Sequence, residues 1–210
     1  MNDIRKLAAV GVVGGALTAL SGTFVAVVIQ PASDVSDEMW SYPWSSDALV
    51  PVSVLFAAFH LLVFIGMVAF ARTVSSRGAR VGSALALAGT FVFFLAELAT
   101  IPFADQRMDE TGPQIVGGAF GLGVVLTAVG LIVAGISVLR SGGWYGWRRY
   151  ASLGAGLWSL VLIGISVTGA LAAGVAIYGL SLCILYWAVY TLRTEAPAET
   201  TARLRARIDH

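Results

Sequence analysis

Long apolar stretches that are almost free of charge dominate this sequence and leave few folds open to it. As an α-helix, a stretch of about 20 apolar residues crosses the roughly 30 Å hydrocarbon core of a bilayer. Four stretches of this kind stand apart from one another, at Leu7–Ile29, Pro51–Ala71, Val81–Phe103 and Ile115–Leu139. The chain is therefore predicted to be an all-α, polytopic membrane protein.

A further apolar run begins at Tyr150 and continues to Leu192, which is too long for one crossing. Small residues between Gly169 and Gly174 mark the expected turn within it. This turn divides the run into two more spans, Tyr150–Thr168 and Val175–Leu192. The prediction is a six-transmembrane-helix bundle.

The six spans make up one transmembrane domain over residues 1–194, and residues 195–210 form a polar tail that is expected to be cytoplasmic. The N-terminal apolar run is about 23 residues long, whereas the apolar core of a signal peptide has about 7–15. Residues 30–33 offer no convincing cleavage site. We expect the first span to remain uncleaved.

The composition agrees with a membrane protein and excludes several other classes. Hydrophobic residues make up 58% and charged residues 12%, against about 25% charged residues in soluble domains. The formal net charge of +1 argues against a basic nucleic-acid binder. A single cysteine, Cys183, excludes an intramolecular disulfide and a multi-cysteine metal cluster.

The distribution of basic residues predicts the orientation, because arginine and lysine favour cytoplasmic loops. With the N-terminus inside, 12 of the 13 basic residues fall in cytoplasmic segments, and only Arg107 lies outside. The loop from Gln30 to Val50 contains four acidic residues and no basic one. The sequence therefore predicts a multi-pass protein of the cell membrane with both termini cytoplasmic.

Two sequence patterns bear on how the helices pack. The string Gly-Thr-Phe-Val begins at both Gly22 and Gly89, which is compatible with repeated helical hairpins or with chance similarity between apolar helices. Glycines also recur at four-residue spacing, which lets helix backbones approach closely in lipid. These pairs, expected to pack in the bundle or in a dimer, are Gly11 with Gly15 and Gly117 with Gly121.

Two ionisable residues lie at membrane depth. By helical rise, Glu97 is roughly 9 Å and His60 roughly 13–14 Å from the outer ends of their spans. The spans are consecutive and antiparallel, so the two side chains can meet if their faces match. The functional interpretation is an intramembrane polar site, such as a proton relay, an ion or substrate site, or a gate. The structural interpretation is a neutral polar pair that joins two helices, with Ser53, Thr90 or Thr100 as further partners.

Two other groups outside the helices invite a functional interpretation. Asp105, Arg107, Asp109 and Glu110 share a short loop, which we interpret as solvated rather than as a cation site. The segment from Trp40 to Trp44 suits an interfacial aromatic belt, and a lid over a ligand is the alternative.

The sequence predicts no cofactor, no metal site and no catalytic residue, and hence no enzyme. A bis-histidine haem would need more histidines than His60 and His210, and a retinal protein would need a lysine other than Lys6 within a span. The known nucleotide-binding, zinc-protease and hydrolase motifs are missing.

Several short motifs resemble a group of small multi-pass integral membrane proteins from high-GC Gram-positive bacteria. They are Trp40-Ser41-Tyr42-Pro43-Trp44-Ser45, Phe59-His60, Glu97-Leu98-Ala99 and Gly146-Trp147-Arg148-Arg149. The group has no assigned activity, so the resemblance implies location and architecture only.

Two functions remain open from the sequence. The leading hypothesis is a structural, interaction or accessory protein whose partners are the lipid bilayer and a membrane protein or a second copy of the chain, without nucleic acid. The alternative is a small proton- or cation-linked transporter or sensor that uses Glu97 and His60.

Overall fold

A computed structural model describes residues 2–166 and 168–192 of the chain. Over these ranges the protein is helical and contains no β-strand. The expected tail, residues 195–210, lies outside the described residues. Six α-helices are present in the described part: α1 Asn2–Phe24, α2 Ser46–Ala71, α3 Arg77–Thr100, α4 Thr111–Ser141, α5 Ala151–Ile165 and α6 Leu171–Thr191.

Polar caps start two of these helices earlier than the apolar spans begin. The Ser45 hydroxyl accepts a hydrogen bond from Ala48 N at 3.3 Å, and the Ser76 hydroxyl accepts one from Ala79 N at the same distance. Such caps satisfy backbone N–H groups that have no partner inside the helix. Because the spans were counted from apolar residues alone, α2 and α3 begin several residues before the predicted spans.

Five helical segments are long and apolar enough to cross a membrane. Two of them are extended by other helix types: α1 continues through the π-helix Val25–Ile29 and the 3₁₀-helix Gln30–Ala32, and α3 through the 3₁₀-helix Ile101–Phe103. The exception is α5, whose 15 residues span about 22 Å. A 3₁₀-helix, Gly146–Tyr150, leads into it. The fold is thus all-helical and of membrane-protein character, with five helices of spanning length.

The turn before α6 differs from the expected one. The helix α5 ends at Ile165, and α6 already begins at Leu171, so Gly174 belongs to the helix. Its missing side chain leaves room for Leu162 of α5, and its carbonyl accepts a hydrogen bond from Trp158 Nε1 at 3.0 Å. Gly169 and Ala170 thus lie in the turn as predicted, whereas Gly174 serves the contact between α5 and α6.

The six helices close into a ring in chain order. Each helix packs against the next one, and α6 packs against α1. The first and last described segments meet, since Arg5 Nε donates to Tyr190 O at 3.3 Å. We call this end of the ring, with residues 2–6, 72–76, 142–150 and 190–192, the terminal end. The opposite end, with residues 33–45 and 101–110, is the loop end.

Charge is divided between these two ends. Among the described residues, every arginine and lysine except Arg107 belongs to the terminal end or to the adjoining helix turns. The loop end and the adjoining first turn of α2 instead carry most of the described acidic residues, which are Asp34, Asp37, Glu38, Asp47, Asp105, Asp109 and Glu110. The uneven distribution of charge along the sequence therefore corresponds to an uneven distribution of charge between the two ends of the ring.

The closest helix pairs are α1 with α6 and α3 with α4, and they share one arrangement of small residues. A Cβ atom on Gly15 would lie 2.9 Å from Gly179 O, and one on Gly82 would lie 2.5 Å from Gly130 O. Contacts this short leave no room for a side chain, so the backbones themselves are in contact.

We call these two helix contacts the α1–α6 seam and the α3–α4 seam. Small residues recur along both seams at the same sequence spacing. In α1 the small residues are Gly15, Ala19 and Gly22, and in α3 they are Gly82, Ala86 and Gly89. The repeated string that follows Gly22 and Gly89 thus marks equivalent positions of two helix seams. One seam joins the first helix to the last and the other joins two consecutive helices, so the two seams are not the consecutive hairpins that a hairpin repeat would give.

Among the described residues, the loop-end half of α4 has no neighbour on the side of α5. Gly135 meets Leu153 and Gly156 meets Ile132, so the antiparallel register places the end of α5 level with Gly123. The segment 111–122 therefore extends roughly 18 Å beyond α5.

One of the two predicted glycine pairs lies in this extending segment of α4 and does not pack as expected. Gly11 and Gly15 pack against other helices, as expected. By contrast, Gly121 has no atom within 4 Å of its Cβ position, and Gly117 has only the ring of Trp40, at 3.9 Å. Among the described residues no helix packs against this pair on the α5 side, because α5 is too short to reach its level.

Candidate functional site

The structure brings the two predicted intramembrane residues together. His60 Nδ1 of α2 lies 3.6 Å from Glu97 Oε1 of α3. Each is one helical turn from a buried residue of its own helix, Ala57 for His60 and Phe93 for Glu97. Since residues three or four apart share a helix face, both side chains point into the ring. Their role as an intramembrane polar site remains a prediction.

A backbone carbonyl holds the imidazole in place. His60 Nδ1 also lies 3.1 Å from Phe56 O, one turn earlier in α2. With a proton on Nδ1, the ring donates to this carbonyl, and the Glu97 carboxyl is then a second, longer contact of the same atom. The hydroxyls of Thr90 and Thr100 bond to carbonyls of their own helix, so neither reaches the pair.

Phe93 separates the polar pair from two hydroxyl groups. It stacks on His60 with 5.3 Å between ring centroids, and its other neighbours are Phe120 and Tyr178, at 6.3 and 6.4 Å. The hydroxyls of Tyr178 on α6 and Thr127 on α4 are buried and lie next to each other. Four helices, α2, α3, α4 and α6, therefore contribute polar groups around one phenyl ring.

The sequence analysis did not identify Phe93, Tyr178 and Thr127 as the residues that surround the polar pair. Phe93 was recognisable in principle, since it lies four residues before Glu97 and so on the same helix face. Tyr178 and Thr127 carry no such signal, because they come from helices whose neighbours in the ring cannot be read from spacing.

The pair is not sealed in the core. The side chains of His60 and Glu97 keep 15% and 14% of their surface accessible, whereas Thr127 is fully buried. By the register of the α3–α4 seam, Glu97 lies level with Gly117, where α4 has lost its neighbour α5. Trp40 from the loop end packs next to Gly117. The polar pair therefore lies below the loop-end cover and at the level where the ring is incomplete.

The acidic cluster at the loop end is organised around Arg107. Its guanidinium lies 2.8 Å from Glu38 Oε2 and 3.5 Å from Asp109 Oδ1. The charge of Glu38, and then that of Asp109, raises the pKa of Arg107 above its ordinary value. Glu110 accepts from Arg107 N at 2.8 Å. These carboxylates serve to join the loop 33–45 to the loop 101–110, and the Met39–Arg107 bridge adds to the same contact.

The described residues contain no group of three or more histidine, cysteine, aspartate or glutamate side chains that could hold a metal ion. Cys183 faces the α1–α6 seam, where its backbone N would lie 2.7 Å from a Cβ on Gly15. Neither observation assigns a reaction to the chain.

Comparison with known proteins gave no match to a family model, to a curated protein or to a solved structure.

Proposed function

We propose that this chain is an accessory or interaction protein of the cell membrane that does not itself carry a solute. In this proposal it has six spans with both termini cytoplasmic, it is not an enzyme, and it acts by binding lipid and a membrane partner protein or a second copy of itself. The resemblance to small multi-pass bacterial membrane proteins is part of the same proposal.

The observation that carries the proposal is the filling of the ring by Tyr186. This residue of α6 is fully buried, and its hydroxyl donates to Val63 O of α2 at 2.8 Å. Its ring packs against the contact between α1 and α2, since Cβ atoms on Gly11 and Gly66 would lie 2.8 and 2.9 Å from the ring, and the two glycines touch each other. A fully buried ring that packs against the α1–α2 contact and is bonded to α2 at its tip blocks passage through the middle of the bundle in this proposal.

Two further observations support the topology within this proposal. The antiparallel α1–α6 seam puts both described chain ends at one end of the ring, as an even number of crossings requires. Basic residues collect at that end, in agreement with the preference of arginine and lysine for the cytoplasmic side.

Flux measurements test the proposal directly. Purified protein is reconstituted into liposomes that contain a pH-sensitive dye, and a proton or potassium gradient is imposed. We expect the gradient to decay as slowly as in protein-free liposomes. Two variants are measured beside the wild type. Tyr186→Ala removes the buried aromatic side chain at the centre, and Trp187→Ala, the matched control, removes an exposed aromatic side chain at the next position. Protein-dependent flux in the wild type would overturn the accessory role.

The His60–Glu97 contact favours a second candidate, a proton- or cation-linked sensor or transporter. A carboxylate and an imidazole that share a helix interface can exchange a proton, and ionisable groups within the membrane are functional in most known cases. Their residual exposure gives a proton or a water molecule access to them.

Two substitutions of Glu97 separate the candidates. Glu97→Gln keeps the shape and the hydrogen-bonding capacity but cannot change charge, whereas Glu97→Leu removes both. If the residue is a proton or cation site, Glu97→Gln abolishes flux or signalling and leaves the melting temperature nearly unchanged. If it only joins α2 and α3, Glu97→Gln is silent, and Glu97→Leu lowers stability by roughly 0.6–1.7 kcal/mol. The latter pair of results would remove the sensor and transporter candidate.

A further inference from the structure

Arg72 separates two cavities at the terminal end of the ring. The first, of about 210 Å³, is lined by Arg5, Trp144 and Tyr190 together with Arg72. The second, of about 430 Å³, lies at the seam between α1 and α2 and is lined by Asp3, Lys6, Leu7, Ile65, Val68 and Arg72. Arg72 therefore borders both cavities.

Positive charge around these cavities is only partly balanced. Arg5 is held by Tyr190, through a hydrogen bond to its carbonyl at 3.3 Å and a guanidinium-to-ring distance of 5.1 Å. Within the described part of the chain, the side chains of Lys6 and Arg72 form no hydrogen bond or ion pair. The single acid in the lining is Asp3. Three cations against one carboxylate provide a site for an anion.

The second cavity adds an apolar surface to this charge. Leu7 lies on α1, and Ile65 and Val68 lie on α2 within the segment of spanning length. The groove therefore runs from the cationic rim into the apolar part of the bundle. Free phosphate would match only the rim, whereas a phospholipid matches both parts.

We infer that the terminal end binds an anionic phospholipid, with its phosphate against Arg72 and Lys6 and an acyl chain in the α1–α2 groove. Basic pockets between membrane helices are known binding sites for lipid headgroups. This inference requires a membrane location but is independent of whether the protein is an accessory protein or a sensor.

A lipid titration followed by native mass spectrometry tests the inference. The protein in detergent is titrated with phosphatidylglycerol and, separately, with phosphatidylcholine. We expect tighter binding of phosphatidylglycerol and a roughly fivefold loss of that affinity in Arg72→Gln, from the usual contribution of one basic residue near a membrane surface. Arg72→Lys should retain most of the affinity. Arg72 is exposed, so these variants should fold normally.

Arg80→Gln is the matched control, because it removes one exposed cation from the same end but lies outside both cavities. It should bind phosphatidylglycerol as the wild type does. Equal losses in Arg80→Gln and Arg72→Gln would indicate diffuse surface charge and overturn the inference. So would equal binding of the two lipids, or competition by inorganic phosphate at the concentration at which the lipid binds.

Discussion

At the scale of single residues, the bundle depends on aromatic side chains that cross it. Tyr186 joins α6 to α2 at the centre, and Phe93 lies between His60 and Tyr178. Both are large rings in contact with other helices, so removing either leaves a space that the rigid helix backbones fill poorly. The polar pair, in comparison, adds a single long contact.

Substitutions at Tyr186 should show that its ring contributes more than its hydroxyl. Tyr186→Phe removes the bond to Val63 O, and interhelical bonds in membranes average about 0.6 kcal/mol. Tyr186→Ala removes the ring as well, and we expect a loss of about 3–5 kcal/mol. Unfolding in detergent by a mild denaturing surfactant measures both values. Trp187→Ala, at a half-exposed position, should cost much less, and an equal cost would contradict the central role of Tyr186.

At the scale of the helices, two equivalent seams of small residues organise the ring. Gly130 approaches Gly82 O in the α3–α4 seam as closely as Gly179 approaches Gly15 O in the α1–α6 seam. The sequence contained this repeat as the shared Gly-Thr-Phe-Val string. It did not contain the identity of the partners, because an apolar helix with glycines on one face can pack against any similar helix.

Alanine substitutions test the equivalence of the two seams. Gly130→Ala and Gly179→Ala each place a methyl group within 2.7 Å of a backbone oxygen, so we expect a loss of about 1–3 kcal/mol in both. Gly154→Ala is the control, since nothing lies within 4 Å of its Cβ position. Melting temperatures in one detergent compare the three. If Gly179→Ala were as harmless as Gly154→Ala, the α1–α6 seam would not be as close as described.

At the scale of the whole molecule, the ring is complete at the terminal end and incomplete at the loop end. In the described part of the chain, the short α5 leaves segment 111–122 of α4 without a neighbour on the α5 side, and the polar pair lies at that level. Whether α5 completes a sixth crossing is the main topological question, because its length is below that of the other five segments.

Reporter insertions decide the number of crossings. A reporter between Thr168 and Gly169 lies in the turn after α5, and we expect it outside, on the same side as a reporter near Asp37. A fusion after Arg207 should be cytoplasmic. A cytoplasmic reading at Gly169, or an external reading after Arg207, would contradict six crossings.

The sequence by itself determined the features that depend on local composition. The length of the apolar stretches predicted the helices, and the distribution of basic and acidic residues predicted how charge divides between the two ends of the ring. The rise per helical residue placed His60 and Glu97 at similar depth. The helix starts at Ser46 and Arg77 were missed only because a polar cap does not contribute to hydropathy.

Only the tertiary structure decided which helices meet. The pairing of α1 with α6, the shell of Phe93, Tyr178 and Thr127 around the polar pair, and the cavities on either side of Arg72 all join segments far apart in the chain. In lipid the hydrophobic effect does not distinguish one apolar helix from another. The choice depends on how closely particular surfaces fit, and that fit exists only once the helices have packed together.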